Sequence, residues 1–196
     1  MKKITFNQNL KIRWLLNKAI ILFIFVLSNN YVTSQTYCTP TYYDDCSWGD
    51  DLNSFIFTGN GTSVLSDLNT GCTIGGYANK TTMTPVDILP GQSYNVQLNT
   101  TYGSGSDEIA SIWIDFNNNG TFESNERLMT DVPLVTSPAF VTRQIMIPPT
   151  ATAGIRRMRV RVVYLETGID PCIIYDYGET HDYNVNVLAL NPCTGT

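Results

Sequence analysis

The sequence contains little of the chemistry on which most catalytic sites depend. Its 196 residues include one histidine, His181, and no Cys-x-x-Cys or His-Glu-x-x-His pattern, which disfavours a zinc site. No Gly-x-Ser-x-Gly turn marks a serine nucleophile. The best catalytic group is Glu179 with His181 and Asp182, whose alternative role is to bind backbone, tyrosine or arginine groups. We therefore expect no enzymatic activity.

Basic residues are scarce beyond the first 34 positions. That segment holds 5 of the 12 lysines and arginines and none of the 17 acidic residues, which leaves 7 basic groups against 17 acidic ones, a net charge of −10. This balance excludes nucleic acid from the expected partners, because phosphate neutralisation needs a basic face. It fits an exported protein that binds cations. The remaining ~160 residues suit one domain with a sizeable core.

No apolar run is long enough to cross a bilayer. Residues 19–27 form an apolar run of nine residues that follows a basic region, as in a signal peptide. Small residues at 32–34 offer a cleavage site that leaves Gln35 as the first residue. We therefore predict that residues 1–34 are a signal peptide, with an uncleaved anchor as the alternative. The protein is then secreted or displayed at the cell surface, with no stable membrane insertion after cleavage.

Helical periodicity is also missing. Segments rich in β-branched and aromatic residues alternate with glycine- and proline-containing breaks at intervals of roughly 8 to 15 residues, as in a β-sandwich. The sequence predicts an all-β, jelly-roll-like β-sandwich of about nine strands over residues 35–188. A linker-like tail, 189–196, is expected to lead to a further domain. The predicted strands are 53–58, 63–68, 83–88, 93–99, 109–116, 127–131, 140–147, 155–165 and 181–188.

One predicted strand, 155–165, has apolar residues on one face and three arginines on the other. The arginines are Arg157, Arg159 and Arg161. On an acidic domain we expect this row to form a solvated or salt-bridged outer face. The alternative is a surface that binds acidic groups of a partner.

Five cysteines in an exported chain predict disulfides with one cysteine left over. Cys38, Cys46, Cys72 and Cys172 lie within the patterned region, and the sequence does not choose among their three pairings. Cys193 stands apart in the tail. Its expected partner lies beyond residue 196, and a free thiol is the alternative.

Residues 115–126 have the spacing of a calcium-binding loop, and the strand-like segment before them favours a structural ion over a helix-opening sensor. Gly120 permits the sharp turn. The alternative is an Asx-rich turn, since Asn-Gly is a common hairpin signal. The expected ligands are the side chains of Asp115, Asn117 and Asn119, the carbonyl of Thr121, a bidentate Glu126, and Glu123 directly or through water.

Aromatic residues crowd the first third of the chain, where they either fill the core or stack on sugars. Trp48, Tyr42 and Tyr43 lie in a stretch rich in glycine and aspartate and are candidate surface binding residues. The acidic pairs 44–45 and 50–51 nearby are candidates for a second cation site, with solvated loop acids as the alternative.

An ordered set of motifs resembles the GEVED domain, which is named after a Gly-Glu-Val-Glu-Asp sequence near its end. The resemblance covers about residues 37–188 and implies a β-sandwich accessory module without known catalysis, found in exported proteins of bacteria with type IX secretion. The chain departs from the family at Thr180 and His181, so only Glu179 and Asp182 remain to assist a metal site. The motifs are Tyr37-Cys38, Gly71-Cys72, Trp113-Ile114-Asp115-Phe116-Asn117, Arg157-Met158-Arg159-Val160, Pro171-Cys172 and Gly178-Glu179-Thr180-His181-Asp182-Tyr183.

These features together predict a secreted, calcium-stabilised, non-catalytic accessory or cell-adhesion module. Its expected partner is an extracellular glycan or protein surface. The alternative is a carbohydrate-binding module attached to an extracellular hydrolase.

Overall fold

A computed structural model describes residues 35–101 and 107–190. The predicted signal peptide and Cys193 lie outside these residues. The described residues contain no helix long and apolar enough to cross a membrane. Their elements are β1 (Ser54–Thr58), β2 (Val64–Leu68), β3 (Tyr77–Asn79), β4 (Val86–Ile88), β5 (Ser93–Asn99), β6 (Glu108–Ile114), a 3-10 turn (Ser124–Glu126), β7 (Arg127–Pro133), β8 (Val141–Met146), β9 (Gly154–Tyr164) and β10 (Gly178–Val187).

The ten strands form two sheets, which confirms the predicted β-sandwich. The smaller sheet is antiparallel, with the strand order β2-β1-β5-β8. The larger has the order β3-β10-β9-β6-β7, with β4 also paired to β10. Both β3 and β4 run parallel to β10, unlike the all-antiparallel pairing of a jelly roll. The strand beyond the nine expected is β3, whose three residues are too few to show alternation.

The main core lies between the two sheets. Phe55 of the smaller sheet and Ile112, Val160 and Val185 of the larger one are all fully buried there. Alternation explains these positions, because every second side chain of a strand faces the same side. The core therefore fixes which residues of β9 and β10 face inward.

A second layer covers the outer face of the larger sheet. Tyr42 and Ile169, from irregular segments before β1 and after β9, pack with Trp113 in a separate apolar cluster. This cover explains why all seven residues of β6 are buried. The predicted disulfides are confirmed, and they pair Cys38 with Cys172 and Cys46 with Cys72. The first of them joins the two covering segments.

Candidate calcium loop and buried polar groups

The loop that follows β6 closes around its first residue. Asp115 is fully buried, and its carboxylate accepts hydrogen bonds from the backbone N–H groups of Asn119 at 3.2 Å and Gly120 at 2.9 Å. The hydroxyl of Tyr37 donates to the same carboxylate at 2.7 Å. Gly120 has a φ of 87°, a left-handed conformation that favours glycine. The loop therefore turns back on Asp115, and Tyr37 covers the Asp115 carboxylate.

The last residue of the loop closes it from the other end. Glu126 is 3% exposed and accepts hydrogen bonds from the backbone N–H groups of Phe116 at 2.9 Å and Asn117 at 3.3 Å. Burial raises the pKa of Glu126 to about 7, and the neighbouring Glu123 contributes to the rise. A cavity of about 330 Å³ opens beside the loop and is lined in part by Asn117 and Glu126. The loop thus holds two buried carboxylates, one at each end.

The remaining predicted ligands lie between these two carboxylates. The side-chain oxygens of Asn117 and Asn119 accept hydrogen bonds from backbone N–H groups two residues ahead, at 3.0 and 2.9 Å. The amide nitrogens of both donate to the Glu123 carboxylate, at 2.8 and 2.6 Å. The structure therefore brings all six predicted residues, including Thr121, into one loop. The backbone turns at the two asparagines are also those of the Asx-rich alternative.

Glu179 and His181 share the inner face of β10, as strand alternation predicts, and both are fully buried. The Glu179 carboxylate accepts hydrogen bonds from the backbone N–H groups of Leu52 at 2.9 Å and Thr73 at 2.8 Å. Its Oε1 lies 3.1 Å from Nε2 of His181. Burial alone would raise the pKa of Glu179, but His181 and the backbone donors hold it below its usual value. Glu179 thus holds two loop segments against β10.

His181 continues a polar chain between the sheets. Its Nδ1 lies 2.9 Å from the hydroxyl of Tyr183, which donates to Asp67 of β2 at 3.0 Å. With Glu179 and His181 both at zero exposure, a substrate has no access to this pair. The arrangement links β10 to the smaller sheet and acts as internal framework.

Asp182 points to the opposite face and pairs with an arginine. Arg159 donates to both carboxylate oxygens of Asp182, at 2.7 and 2.8 Å, and both side chains are fully buried. The same guanidinium donates to the carbonyls of Cys38 at 2.8 Å and Pro171 at 2.7 Å. Tyr77 adds a hydroxyl donor to Asp182 at 2.9 Å. The Asp182 carboxylate is therefore occupied by hydrogen bonds from Arg159 and Tyr77.

Arg161 holds the covering segments on the larger sheet in a similar way. It donates to the Tyr42 hydroxyl at 3.0 Å and to the carbonyls of Asp170 and Ile173, both at 2.6 Å. The guanidinium also lies 4.6 Å from the centre of the Tyr175 ring. The expected solvated face is therefore wrong for this row, in which Arg159 and Arg161 are buried beneath the two covering segments. The expected salt-bridged state holds for Arg157 and Arg159, which both pair with Asp182.

The three aromatic candidates occupy different environments. Tyr42 is 8% exposed and shares a hydrogen bond of 2.8 Å with the Thr180 hydroxyl, so its ring belongs to the framework. Tyr43 and Trp48 are 74% and 78% exposed.

The sequence did not point to one further group, Glu108, which begins a buried strand and is 3% exposed. Its only sequence signal was an acid at the head of an otherwise apolar strand.

One cluster of potential metal ligands has a different explanation. Ligand atoms of Asp45, Cys46 and Cys72 approach within 4.8 Å of one another. The two sulfurs are bonded to each other at 2.09 Å, so neither is a thiolate. This cluster is a disulfide beside a carboxylate.

Together, these features define an all-β framework domain, with covering segments joined by a disulfide, buried polar pairs and an acidic loop. The family model of the GEVED domain matches residues 110–186, from within β6 to near the end of β10. This match confirms the resemblance to the GEVED domain family over that part of the chain. The family consists of accessory domains and is not known to be catalytic. A comparison with curated proteins found no match.

Proposed function

We propose that the protein is a secreted, calcium-stabilised accessory or adhesion module without catalytic activity. The observation that carries the proposal is the 115–126 loop, which has a buried carboxylate at each end, Asp115 and Glu126, and oxygen-bearing residues between them. Calcium takes about six to eight oxygen ligands, and this loop offers carboxylate, amide and carbonyl oxygens of that kind.

Charge supports the same proposal. Lysine and arginine side chains of the described residues form no ion pair with Asp115, Glu123 or Glu126. Three acidic groups thus share one short loop without a cationic partner, and a divalent ion would lower that repulsion. Neutral amides at the third and fifth loop positions favour the weak affinity of extracellular sites, with a dissociation constant of roughly 10⁻⁴ to 10⁻³ M.

Other features support the accessory role and the compartment. Two disulfides fit an oxidising, extracellular location. The full burial of Glu179 and His181 supports a role without catalysis. Adhesion, export by type IX secretion and binding to a glycan or protein surface are parts of the proposal that follow from the family. No observation favours the alternative of a carbohydrate-binding module.

Thermal unfolding tests the calcium site. With a dissociation constant of ~0.1 mM and ~1 mM free calcium, binding adds about 1.4 kcal/mol of stability. That corresponds to a rise of roughly 3–6 °C in Tm over the value in chelator. Asp115→Asn keeps the shape of the side chain but removes a ligand charge, so we expect it to lose most of this rise.

The control is Asp87→Asn, which removes one charge from β4 and should keep the full calcium-dependent rise. The readout is the difference in Tm between calcium and chelator for each variant, so a general loss of stability does not mimic the effect. Equal rises in the wild type and Asp115→Asn would exclude the loop as the calcium site.

A further inference from the structure

A cavity of about 350 Å³ lies at one end of the larger sheet, near the first residue of β6. The candidate calcium loop follows the other end of β6. The walls of the cavity are Trp48, Tyr164 and Tyr177, and Asp50 contributes the acidic group. Trp48 is 78% exposed and Tyr164 38% exposed. The Tyr164 and Tyr177 rings meet edge to face at 6.1 Å. The cavity therefore combines three aromatic rings with a carboxylate.

Two buried carboxylates meet beside this cavity. Asp50 is 7% exposed and Glu108 3% exposed, and Oε2 of Glu108 has no hydrogen-bond partner among the described residues. Glu108 is the register partner of Tyr164 across β6 and β9, which places it next to the aromatic wall. The pKa of Glu108 is raised to about 9, mainly by burial and next by the contact with Asp50.

The negative charge of this region lacks a cationic partner. Lysine and arginine side chains in the described part of the chain form no ion pair with Asp50 or Glu108. The neighbouring Asp51 is different, because Thr101 donates its backbone N–H and its hydroxyl to that carboxylate at 2.7 and 2.6 Å. Asp50 and Glu108 thus form an acidic pair that has no lysine or arginine partner among the described residues.

The lining selects among ligand classes. Aromatic faces attract organic cations through their quadrupole, most strongly where a carboxylate is also present. A calcium ion would need about six to eight oxygen ligands, whereas three of the four lining residues are aromatic. An anion would be repelled by Asp50, and a neutral sugar would leave the acidic pair without a counter-charge.

We propose that this cavity binds an organic cation of the size of a lysine or arginine side chain. The ring of Trp48 covers the alkyl chain and the charged head, Tyr164 and Tyr177 form the opposite wall, and Asp50 pairs with the head group. Glu108 is a positioning residue, because its carboxyl group contacts Asp50 beside the aromatic wall. The site is independent of calcium, since Glu108 begins β6 and the calcium loop follows its last residue.

Titration of the isotope-labelled protein, followed by the NMR signal of the Trp48 indole N–H, tests the proposal. The probes are Nα-acetyl-lysine amide and Nα-acetyl-arginine amide, with Nα-acetyl-norleucine amide as the neutral control and calcium chloride alone as the metal control. We expect both cationic probes, and neither control, to shift the signal in a saturable way. Equal shifts with norleucine amide, or displacement of the probe by calcium, would overturn the proposal.

Variants locate the site. Trp48→Ala, at an exposed position, should weaken binding about tenfold, because an aromatic contact with a cation contributes on the order of 1 kcal/mol or more. Asp50→Asn should weaken it at least as much, with an unchanged indole signal of the buried Trp113 as the check on folding. Asp87→Asn, at the far end of β10 from Tyr177, is the matched charge control and should bind normally. Full affinity in both Trp48→Ala and Asp50→Asn would contradict the assignment.

A short peptide that contains the preferred residue identifies the source of the cation. An affinity more than about tenfold above that of the capped amino acid would assign a polypeptide partner. Equal affinities would assign a small-molecule amine or guanidine.

Discussion

At Gly178, the first residue of β10, the backbone leaves no space for a side chain. Its φ is 141°, and a Cβ there would lie 2.2 Å from the carbonyl oxygen of Val162 and 2.8 Å from the Tyr42 ring. The close approach of β10 to β9 and to the covering segment therefore depends on glycine. This is the physical reason for glycine at the start of the motif that carries Glu179 and Asp182.

We predict that Gly178→Ala lowers the free energy of unfolding by about 2–4 kcal/mol, from strain and overlap together. Gly168→Ala is the matched control, since Gly168 also has a positive φ, 68°, but has open space around its Cβ position. It should cost about 1–2 kcal/mol. Urea denaturation of both variants measures the difference, and equal losses would show that overlap at Gly178 is unimportant.

The raised pKa of Glu108 makes the stability of the folded protein depend on pH. Its folded pKa of about 9 exceeds the ordinary value of 4.5, so between these values the folded protein holds a proton that the unfolded chain releases. Stability from this group is complete below the unfolded pKa and is lost as pH rises through this window. Asp50, Asp51 and Asp107 surround the carboxyl and add to the effect.

Glu108→Gln removes this titration. We predict that the stability of the wild type falls more steeply between pH 5 and pH 9 than that of the variant, by at most about 1.4 kcal/mol per pH unit. Urea midpoints across this range measure the two slopes. Parallel slopes would mean that Glu108 is already ionised in the folded protein at neutral pH.

At the scale of elements, β9 and β10 are joined by the buried Arg159–Asp182 pair as well as by their backbone ladder. Because Arg159 also binds the carbonyls of Cys38 and Pro171, one side chain connects the sheet to both covering segments. This is why the pair lies in the interior even though an isolated buried ion pair is costly to desolvate.

We predict that Arg159→Ala lowers stability by about 3–5 kcal/mol, since Asp182 would remain buried without its main partner. Arg143→Ala, on β8, removes an exposed arginine and should change stability by less than about 0.5 kcal/mol. Denaturant unfolding of the two variants provides the comparison. A small effect at Arg159 would show that the covering segments do not depend on the pair.

For the whole molecule, the two disulfides constrain loops of different length. Cys38–Cys172 has a sequence separation of 134 residues and Cys46–Cys72 one of 26. In the chain-entropy description, these loops correspond to about 5 and about 3.5 kcal/mol of stability. The longer loop contains β1 to β9, and its disulfide joins the two covering segments.

We therefore expect the double variant Cys38→Ala/Cys172→Ala to be less stable than Cys46→Ala/Cys72→Ala by about 1–2 kcal/mol. Guanidinium denaturation of both double variants under identical conditions tests this order. The reverse order would indicate that local packing around the buried Cys46 outweighs loop closure.

Local patterns in the sequence determined most of the strands and the spacing of the candidate calcium loop. Strand β5 has the predicted bounds, Ser93–Asn99, because alternation over seven residues is a strong signal. The candidate ligands from Asp115 to Glu126 could be proposed because they lie within twelve consecutive residues. Strand β3 was missed since three residues carry no period.

Only the tertiary structure decided which distant residues meet. The pairing of Cys38 with Cys172, the burial of Arg159 and Arg161, and the contact between Asp50 and Glu108 all join positions far apart in the chain. The covering segments have no regular periodicity, so the sequence carries no local signal that they bury the outer face of the larger sheet. Side-chain alternation assigns a residue to a face, but what packs against that face depends on the path of the whole chain.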